Sequence, residues 1–121
     1  MTTILLFLSA IFSSFSTPPQ YAVCIGAKCD GEQISLDYLE KNHELVNKQA
    51  GYFIDSFVIS SHTINDMVFE RRFKGTDFSP ILPEMRKGIK KGSKLYVEEI
   101  ILKPNSSAGN SLKTYAIYTV E

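Results

Sequence analysis

The chain has 121 residues, of which 44% are hydrophobic and 21% are charged, a composition ordinary for one globular domain that buries its own core. Thirteen basic residues balance thirteen acidic ones, so the chain lacks both the strongly basic character of most nucleic-acid binders and the acidic character of a polyanion mimic. We therefore expect no nucleic-acid partner.

The first sixteen residues are typical of a signal peptide. An apolar run from Ile4 to Phe15 ends in Ser14-Phe15-Ser16, a small-x-small cleavage pattern before Thr17. The run is shorter than the roughly 20 apolar residues that span a bilayer, and no Lys or Arg precedes it. A buried N-terminal strand is the alternative, but the run shows no two-residue alternation and leads into Pro18-Pro19. We expect export, with residues 17–121 forming a single domain that has no transmembrane segment.

The sequence contains two cysteines, Cys24 and Cys29, with Gly26 between them. In an oxidising compartment such a local pair often closes a turn as a disulfide, worth on the order of 2 kcal/mol or less for so short a loop. Two free thiols are an alternative. Metal or redox chemistry is a third alternative. A zinc site would need further ligands, and only His43 and His62 are available. The cysteines of a redox motif have about two residues between them, whereas four residues separate Cys24 from Cys29. We expect no metal or other cofactor.

Short elements open the mature chain. Gln20 to Ile25 predicts a strand, and Glu32 to Ser35 predicts a second extended piece after the turn signal Asp30-Gly31. Ser35 or Asp37 is the expected N-cap of a helix. We expect this helix to be brief, because the polar residues from Asn42 onward are poor helix interior.

Two strong strands lie in the middle of the chain. The first, Phe53 to His62, is rich in aromatic and β-branched residues, and simple alternation places Phe57 and Ile59 on the face of Phe53. The second, Met67 to Phe73, alternates cleanly. The turn signal Asn65-Asp66 between them predicts an antiparallel hairpin.

A short helix with a concentration of positive charge is predicted next. Ser79-Pro80 has the proline expected at a helix start, and the firm part of the helix is predicted from Glu84 to Lys90, with Gly92 as its left-handed cap. A four-residue spacing would place the basic residues on one helix edge, either as a solvated face near the helix C-terminus or as a surface for an acidic partner or anionic lipid. The candidate partner-binding residues are Arg86, Lys87, Lys90 and Lys91.

Two further strands, Ser93 to Lys103 and Leu112 to Val120, are predicted to pair antiparallel. The first loses its alternation at Glu98-Glu99, and a β-bulge there would bring its two halves into phase. The whole pattern predicts a mainly β fold, an antiparallel β-sandwich with one or two short helices. The expected core includes Phe53, Phe57, Ile59, Phe69, Leu95, Val97 and Ile117.

Candidates for catalysis are few. Ser60 and His62 share a strand face, but side chains two residues apart lie about 6.5–7 Å from each other, too far for a direct hydrogen bond. Glu98 and Glu99 face apart unless a bulge turns one of them, whereas glycosidase carboxylates face each other across a cleft. We therefore predict that the protein is not an enzyme and name no catalytic residue. The alternative is a small secreted hydrolase or a ligand-sensing domain that uses the Ser60 and His62 region.

A set of segments spread over the mature chain carries a family resemblance. They are Ile25-Gly26-Ala27-Lys28, Gly31, Ile34-Ser35, Phe53, Ser56-Phe57-Val58-Ile59, Phe78-Ser79 and the run from Ile89 to Ile100. The last run is the most specific, a short helix end followed by Gly-Ser and a strand that ends Glu-x-Ile. Together these segments resemble the C-terminal domain of the GldM family, periplasmic proteins of the gliding-motility and type IX secretion machinery of Bacteroidetes.

The resemblance implies an immunoglobulin-like sandwich that acts by contact and has no active-site residues to transfer. In that family such domains end a dimeric rod that crosses the periplasm to an outer-membrane lipoprotein ring. Because we expect neither a transmembrane helix nor the family's preceding domains in this chain, we expect a free-standing relative, periplasmic or secreted. Its expected partner is a cell-envelope protein, such as an outer-membrane lipoprotein component of the secretion machinery, and a homodimer is a further expectation. The cysteine pair is not explained by the resemblance.

Overall fold

A computed structural model of the chain describes residues 22–62 and 67–121. The predicted signal peptide at residues 1–16 and the predicted turn at Asn65-Asp66 lie outside the described residues. Within the described ranges, no helix is long and apolar enough to cross a membrane.

The described chain is built mainly from short strands. The strands are β1 (Val23–Ile25), β2 (Gln33–Ile34), β3 (Leu45–Asn47), β4 (Tyr52–His62), β5 (Met67–Lys74), β6 (Lys94–Pro104) and β7 (Leu112–Val120). The helices are α1 (Leu36–Lys41) and α2 (Leu82–Gly88), and a turn of 3-10 helix, Ser79–Ile81, leads directly into α2.

These strands form two sheets. Five of them lie in the order β2-β7-β6-β4-β5, and β1 pairs with β3 in a separate two-stranded sheet. The predicted β4–β5 hairpin and the predicted β6–β7 pair are both antiparallel, whereas β2 runs parallel to β7. β3 was not predicted from the sequence. The fold is therefore mainly β with two short helices, consistent with the predicted sandwich.

One hydrophobic core joins both sheets and both helices. On β4 the inner face of the five-stranded sheet carries Phe57, whose ring centroid lies 5.6 Å from that of Phe73 on β5 and 6.5 Å from that of Phe78 before α2. Five of the predicted core residues are buried: Phe57, Ile59, Phe69, Leu95 and Val97.

The predicted burial of Phe53 is wrong, because β4 contains a bulge. Phe53 is 46% exposed and Ile54 is buried in its place. The register of β4 against β6 shifts between Ile54 and Ser56, and one extra residue reverses which face every earlier side chain occupies. Simple alternation counted back from Phe57 therefore assigns Phe53 to the wrong face.

Ile117 is also not in the core. It pairs with Tyr96 and is half-buried on the opposite, outer face of the sheet, while its neighbours Ala116 and Tyr118 are buried. Two apolar residues in succession leave the phase of a strand open, and the larger tyrosine takes the inner position here.

The bulge predicted at Glu98-Glu99 is confirmed. Val97 pairs with Ala116 and Ile100 pairs with Thr114, so both glutamates lie opposite the single residue between these partners. Glu99 adopts a φ of 47°, and both glutamates are exposed. The extra residue keeps the apolar side chains of both halves of β6 on the inner face.

α1 begins at its predicted cap, whereas α2 begins at Leu82, before the predicted Glu84, and also ends early. The Ser35 hydroxyl accepts a 3.1 Å hydrogen bond from the Tyr38 N–H at the start of α1, as predicted. The prediction that α2 reaches Lys90 with Gly92 as its cap is wrong, since Ile89 is extended, with a ψ of 138°. Ile89 is buried, so its side chain leaves the helix to enter the core.

Candidate functional site

Four exposed basic residues surround the end of α2, and we call them the basic surface: Arg86, Lys87, Lys90 and Lys91. Because α2 ends at Gly88, the first two lie on the last turn of the helix and the other two lie in the turn before β6. The predicted single helix edge is therefore wrong, although the chain reversal keeps all four residues in one short segment.

The turn that carries Lys90 and Lys91 is held by its own hydrogen bonds and by β7. The Ser93 N–H donates to the Lys90 carbonyl oxygen at 3.0 Å, and the Gly92 N–H donates to the Val120 carbonyl oxygen at 2.7 Å. Gly92 has a φ of 88°, which costs glycine little. The turn thus presents both lysines from a backbone that is fixed at both ends.

One of the four residues of the basic surface is paired and three are not, within the part of the chain that the structure describes. Arg86 forms an ion pair with Glu40, which joins α2 to α1. Among the described residues, Lys87, Lys90 and Lys91 form no ion pair with an acidic side chain. Other paired charges on the described surface are Arg71 with Glu84, Arg72 with Glu99, and Asp55 with Lys74 and Lys103. Lysines without an ion pair also lie elsewhere on the described surface, Lys48 and Lys113 among them. Three such lysines lie within five residues of sequence at the connection between α2 and β6, so unpaired positive charge is densest there.

Cys24 and Cys29 are joined by a disulfide, as predicted. Between them, Ile25 and Lys28 exchange both backbone hydrogen bonds, at 2.8 and 2.9 Å, which closes a two-residue turn. Gly26 is the first residue of the turn, with a φ of 59°, the position at which a type II′ turn needs glycine. The Cα atoms of the two cysteines are 4.4 Å apart, so the disulfide staples the base of this turn.

Two tyrosines outside the predicted candidate residues hold the disulfide turn. The Tyr38 hydroxyl, on α1, accepts from the Ala27 N–H at 2.8 Å and donates to the Ile25 carbonyl oxygen at 3.1 Å. The Tyr118 hydroxyl, on β7, donates to the Lys28 carbonyl oxygen at 2.9 Å, and burial raises the pKa of Tyr118. No local signal identifies Tyr118, because its neighbour Ile117 leaves the phase of β7 open. Once Tyr118 is buried, its hydroxyl needs a hydrogen-bond partner.

The candidates for catalysis are placed as follows. Ser60 and His62 share the outer face, as predicted, since they pair with Tyr96 and Lys94 of β6. Ser60 is only 2% exposed, and the His62 ring packs edge-on to Tyr96 with 5.6 Å between centroids. No hydrogen bond joins Ser60 to His62, both of which are described. Of the two glutamates considered for catalysis, Glu99 forms an ion pair with Arg72 at 3.2 Å.

His43 lies beside an acidic side chain. Its Nδ1 is 3.0 Å from Asp77 Oδ1, and Asp77 also accepts hydrogen bonds from the Ser79 N–H at 2.8 Å and the Ser79 hydroxyl at 3.1 Å. These bonds, the backbone one first, lower the pKa of Asp77. The arrangement holds Ser79, the first residue of the 3-10 turn. In the described part of the chain, no group of three or more His, Cys, Asp and Glu side chains is placed to hold a metal ion.

No protein-family model, curated protein or solved structure matches the chain. Of the candidate residues, the structure brings together the cysteine pair, which is structural, and the basic surface, which is exposed and largely uncompensated in charge. The basic surface is therefore the candidate functional site.

Proposed function

We propose that the protein is an exported, non-enzymatic domain that binds an acidic protein of the cell envelope through the basic surface. The observation that carries this proposal is the cluster of exposed lysines, Lys87, Lys90 and Lys91, that have no acidic partner in the described chain. A complementary acidic surface would steer the encounter and fix the orientation of the complex. The attraction between exposed charges is screened by salt, so binding should weaken as ionic strength rises.

The resemblance to the GldM C-terminal domain suggests where such a partner is found. Its most specific run, Ile89 to Ile100, covers the turn that carries Lys90 and Lys91 and the first part of β6. By this resemblance the domain is an immunoglobulin-like sandwich, and its partner is an outer-membrane lipoprotein component of the gliding-motility or type IX secretion machinery. The mainly β fold with short helices is compatible with this proposal.

Export is supported by two independent features. The sequence at residues 1–16 has the pattern of a signal peptide, and the disulfide between Cys24 and Cys29 is typical of proteins in oxidising compartments. We propose that the mature domain is periplasmic or secreted.

A pull-down from the native cell envelope with a charge-reversed variant tests the proposed partner. Lys90→Glu with Lys91→Glu removes the turn lysines, while Lys48→Glu with Lys113→Glu makes the same change in net charge at two exposed lysines elsewhere. We expect the wild type and the control to recover envelope lipoproteins of the secretion machinery and the Lys90/Lys91 variant to lose them. The recovered lipoprotein, purified, should bind the wild type directly and more weakly as salt is added.

Two outcomes would contradict the proposal. Equal loss of binding in both double variants would show that net charge, and not the basic surface, is responsible. Recovery of no envelope protein, together with turnover of a small substrate that requires His62, would favour the hydrolase alternative instead.

A further inference from the structure

Among the described strands, β5 is the long edge of the five-stranded sheet. The strand order is β2-β7-β6-β4-β5, so one edge is β2, with two residues, and the other is β5, Met67–Lys74, with eight. An edge strand presents backbone N–H and C=O groups that have no partner in their own sheet, and such a row is a template for another strand. This edge is independent of the basic surface.

Alternate residues of β5 direct their backbone groups to the open side. The Gly75 N–H donates to the Asp55 carbonyl oxygen at 2.9 Å, and bonded pairs of an antiparallel ladder recur at every second residue. In the register of β4 with β5, Arg71 is then bonded to β4, and Glu70 and Arg72 point their N–H and C=O groups outward. No hydrogen bond to another part of the described chain uses the backbone of Glu70 or Arg72.

The side chains along this edge carry charges of opposite sign. Glu70 and Arg72 are both exposed and project from the outer face of the sheet. Arg71, on the inner face, is neutralised by its ion pair with Glu84. Glu70 has no ion pair among the described residues. Arg72 forms an exposed ion pair with Glu99, and such a surface pair is weak enough to be exchanged for a contact across the edge. Like charges on an edge disfavour pairing with another strand, whereas charges of opposite sign favour a register that places them opposite each other.

That register is an antiparallel pair of two β5 strands centred on Arg71. It places Glu70 of each copy opposite Arg72 of the other, twice by symmetry, and both residues direct their backbone groups outward, so each such pair can exchange both N–H···O bonds. On the inner face it places Phe69 opposite Phe73, and aromatic pairs across strands are favourable. The like-charged pair at the centre, Arg71 with itself, is the one that Glu84 already neutralises in each copy.

Neighbouring registers lose these matches. When the two strands shift by one residue, a residue whose backbone groups point away from β4 lies opposite a residue whose backbone groups are bonded to β4. Such a pair cannot exchange hydrogen bonds, so the ladder does not form. A centre on Glu70 puts two carboxylates opposite each other. A centre on Arg72 would place Glu70 opposite Lys74 of the other copy. It also puts two guanidinium groups opposite each other at the centre of the outer face, where no acidic residue of the strand separates them, and it sets Arg71 against Phe73 on the inner face.

We propose that two copies of this chain associate through β5, antiparallel and centred on Arg71, so that the two five-stranded sheets become continuous. The interface is isologous, as a two-fold axis requires. The partner for this edge is therefore a second copy, selected by the pairing of Glu70 with Arg72.

Sedimentation equilibrium of the purified exported protein tests the proposal. The wild type should form dimers, and Glu70→Arg or Arg72→Glu should each weaken dimerisation at least about ten-fold, because each creates two like-charged contacts in place of two favourable ones. The double variant Glu70→Arg with Arg72→Glu should restore the dimer. Circular dichroism establishes that each variant is folded.

A mixture of the two single variants gives a second readout that a folding defect cannot imitate. In the proposed register Glu70→Arg and Arg72→Glu complement each other at both contacts, so the mixture should form heterodimers while each alone stays mostly monomeric. A wild type that is monomeric up to high concentration, or dimers that are unaffected by the single variants, would overturn the proposal. So would a failure of both the double variant and the mixture to restore dimers. The Lys90/Lys91 pull-down is unaffected by any of these results.

Discussion

The Tyr118 hydroxyl on β7 donates a hydrogen bond of 2.9 Å to the carbonyl oxygen of Lys28, a residue 90 positions earlier in the chain. Lys28 closes the turn that the disulfide staples, so this bond ties the turn to β7 of the five-stranded sheet. Tyr118 is 1% exposed, and its ring also forms part of the hydrophobic core. The stability of the turn is therefore coupled to that of the sheet.

Tyr118→Phe should lower the free energy of unfolding by about 1 kcal/mol, the net worth of a buried hydrogen bond. The ring stays in place, and the Lys28 carbonyl keeps its bond from the Ile25 N–H, so the loss should not be larger. Urea denaturation measures it. Tyr115→Phe is the matched control on the same strand, because Tyr115 is 48% exposed, and it should change stability by less than about 0.5 kcal/mol. Equal effects in the two variants would contradict the role given to Tyr118.

The same tyrosine should make stability depend on pH in the alkaline range. Burial raises the pKa of Tyr118 in the folded state above the tyrosine value of about 10. Its contribution is fully present below that value and is lost as pH rises above it, since the unfolded chain then releases a proton that the folded chain retains. Urea midpoints at neutral and alkaline pH should therefore fall less in Tyr118→Phe than in the wild type. An identical fall in both would exclude Tyr118 as the titrating group.

Reduction of the disulfide should destabilise the domain by about 2 kcal/mol, the value expected when so short a loop is released. Urea unfolding with and without a reducing agent measures the difference. The double variant Cys24→Ala, Cys29→Ala is the control, and its unfolding should not respond to the reducing agent. Two titratable thiols in the native, unreduced protein would contradict the disulfide.

Gly26→Ala should destabilise the protein more than Gly31→Ala. Both glycines have positive φ, 59° and 89°, so both changes incur a conformational cost of about 1–2 kcal/mol. A Cβ at Gly26 would also collide with the Tyr38 hydroxyl and lie 3.0 Å from Asn42 Oδ1, whereas a Cβ at Gly31 meets no atom within 4 Å. The difference between the two unfolding free energies measures how tightly the turn is docked on α1. Equal losses of unfolding free energy would mean that the Tyr38 hydroxyl moves aside at little cost.

Glu99→Gly should leave the free energy of unfolding unchanged or raise it by up to about 1 kcal/mol. Glu99 has a φ of 47°, which costs a non-glycine residue about 1–2 kcal/mol and costs glycine little. The larger conformational entropy that glycine loses on folding offsets part of this gain. The lost ion pair with Arg72 is exposed and contributes little. Glu98→Gly, in the same bulge but without a positive φ, should instead be destabilising by about 0.5–1 kcal/mol. Thermal unfolding of both variants checks the order, and the reverse order would reject the assignment of the bulge.

If the proposed export is correct, the mature protein should begin at or near Thr17, and with its disulfide formed it should carry two fewer hydrogens than its reduced form. The intact mass of protein from a periplasmic fraction tests cleavage and oxidation together. Retention of Met1 would contradict the signal peptide, and a mass equal to the fully reduced chain would contradict the disulfide.

Local pattern was enough to predict several features of the fold. The Ser35 cap of α1 follows from a residue type whose side chain satisfies a free N–H. The bulge at Glu98-Glu99 follows from a break in alternation that no regular strand can absorb. The cysteine pair and the glycine between them predicted the stapled turn, because all the atoms involved lie within one short segment.

Errors arose where distant contacts override local pattern. The bulge in β4 is hidden because apolar residues flank it on both faces, and only the pairing of β4 with β6 shows that Phe53 is exposed. The end of α2 is decided by the burial of Ile89 in the core, which moved Lys90 and Lys91 from a helix to a turn. In each case the local signal fits two conformations, and packing selects one.

The sequence by itself determined the class of structure, mainly β with short helices, and the residue types of both candidate features, the cysteine pair and the basic surface. Periodicity, caps and turns are short-range properties, so they can be read along the chain. Only the tertiary structure decided that Tyr118 holds the carbonyl of Lys28, that Glu40 neutralises Arg86, and that β5 forms an open edge. These features depend on contacts between residues far apart in the chain. Such contacts are set by strand order and register, which local periodicity does not specify.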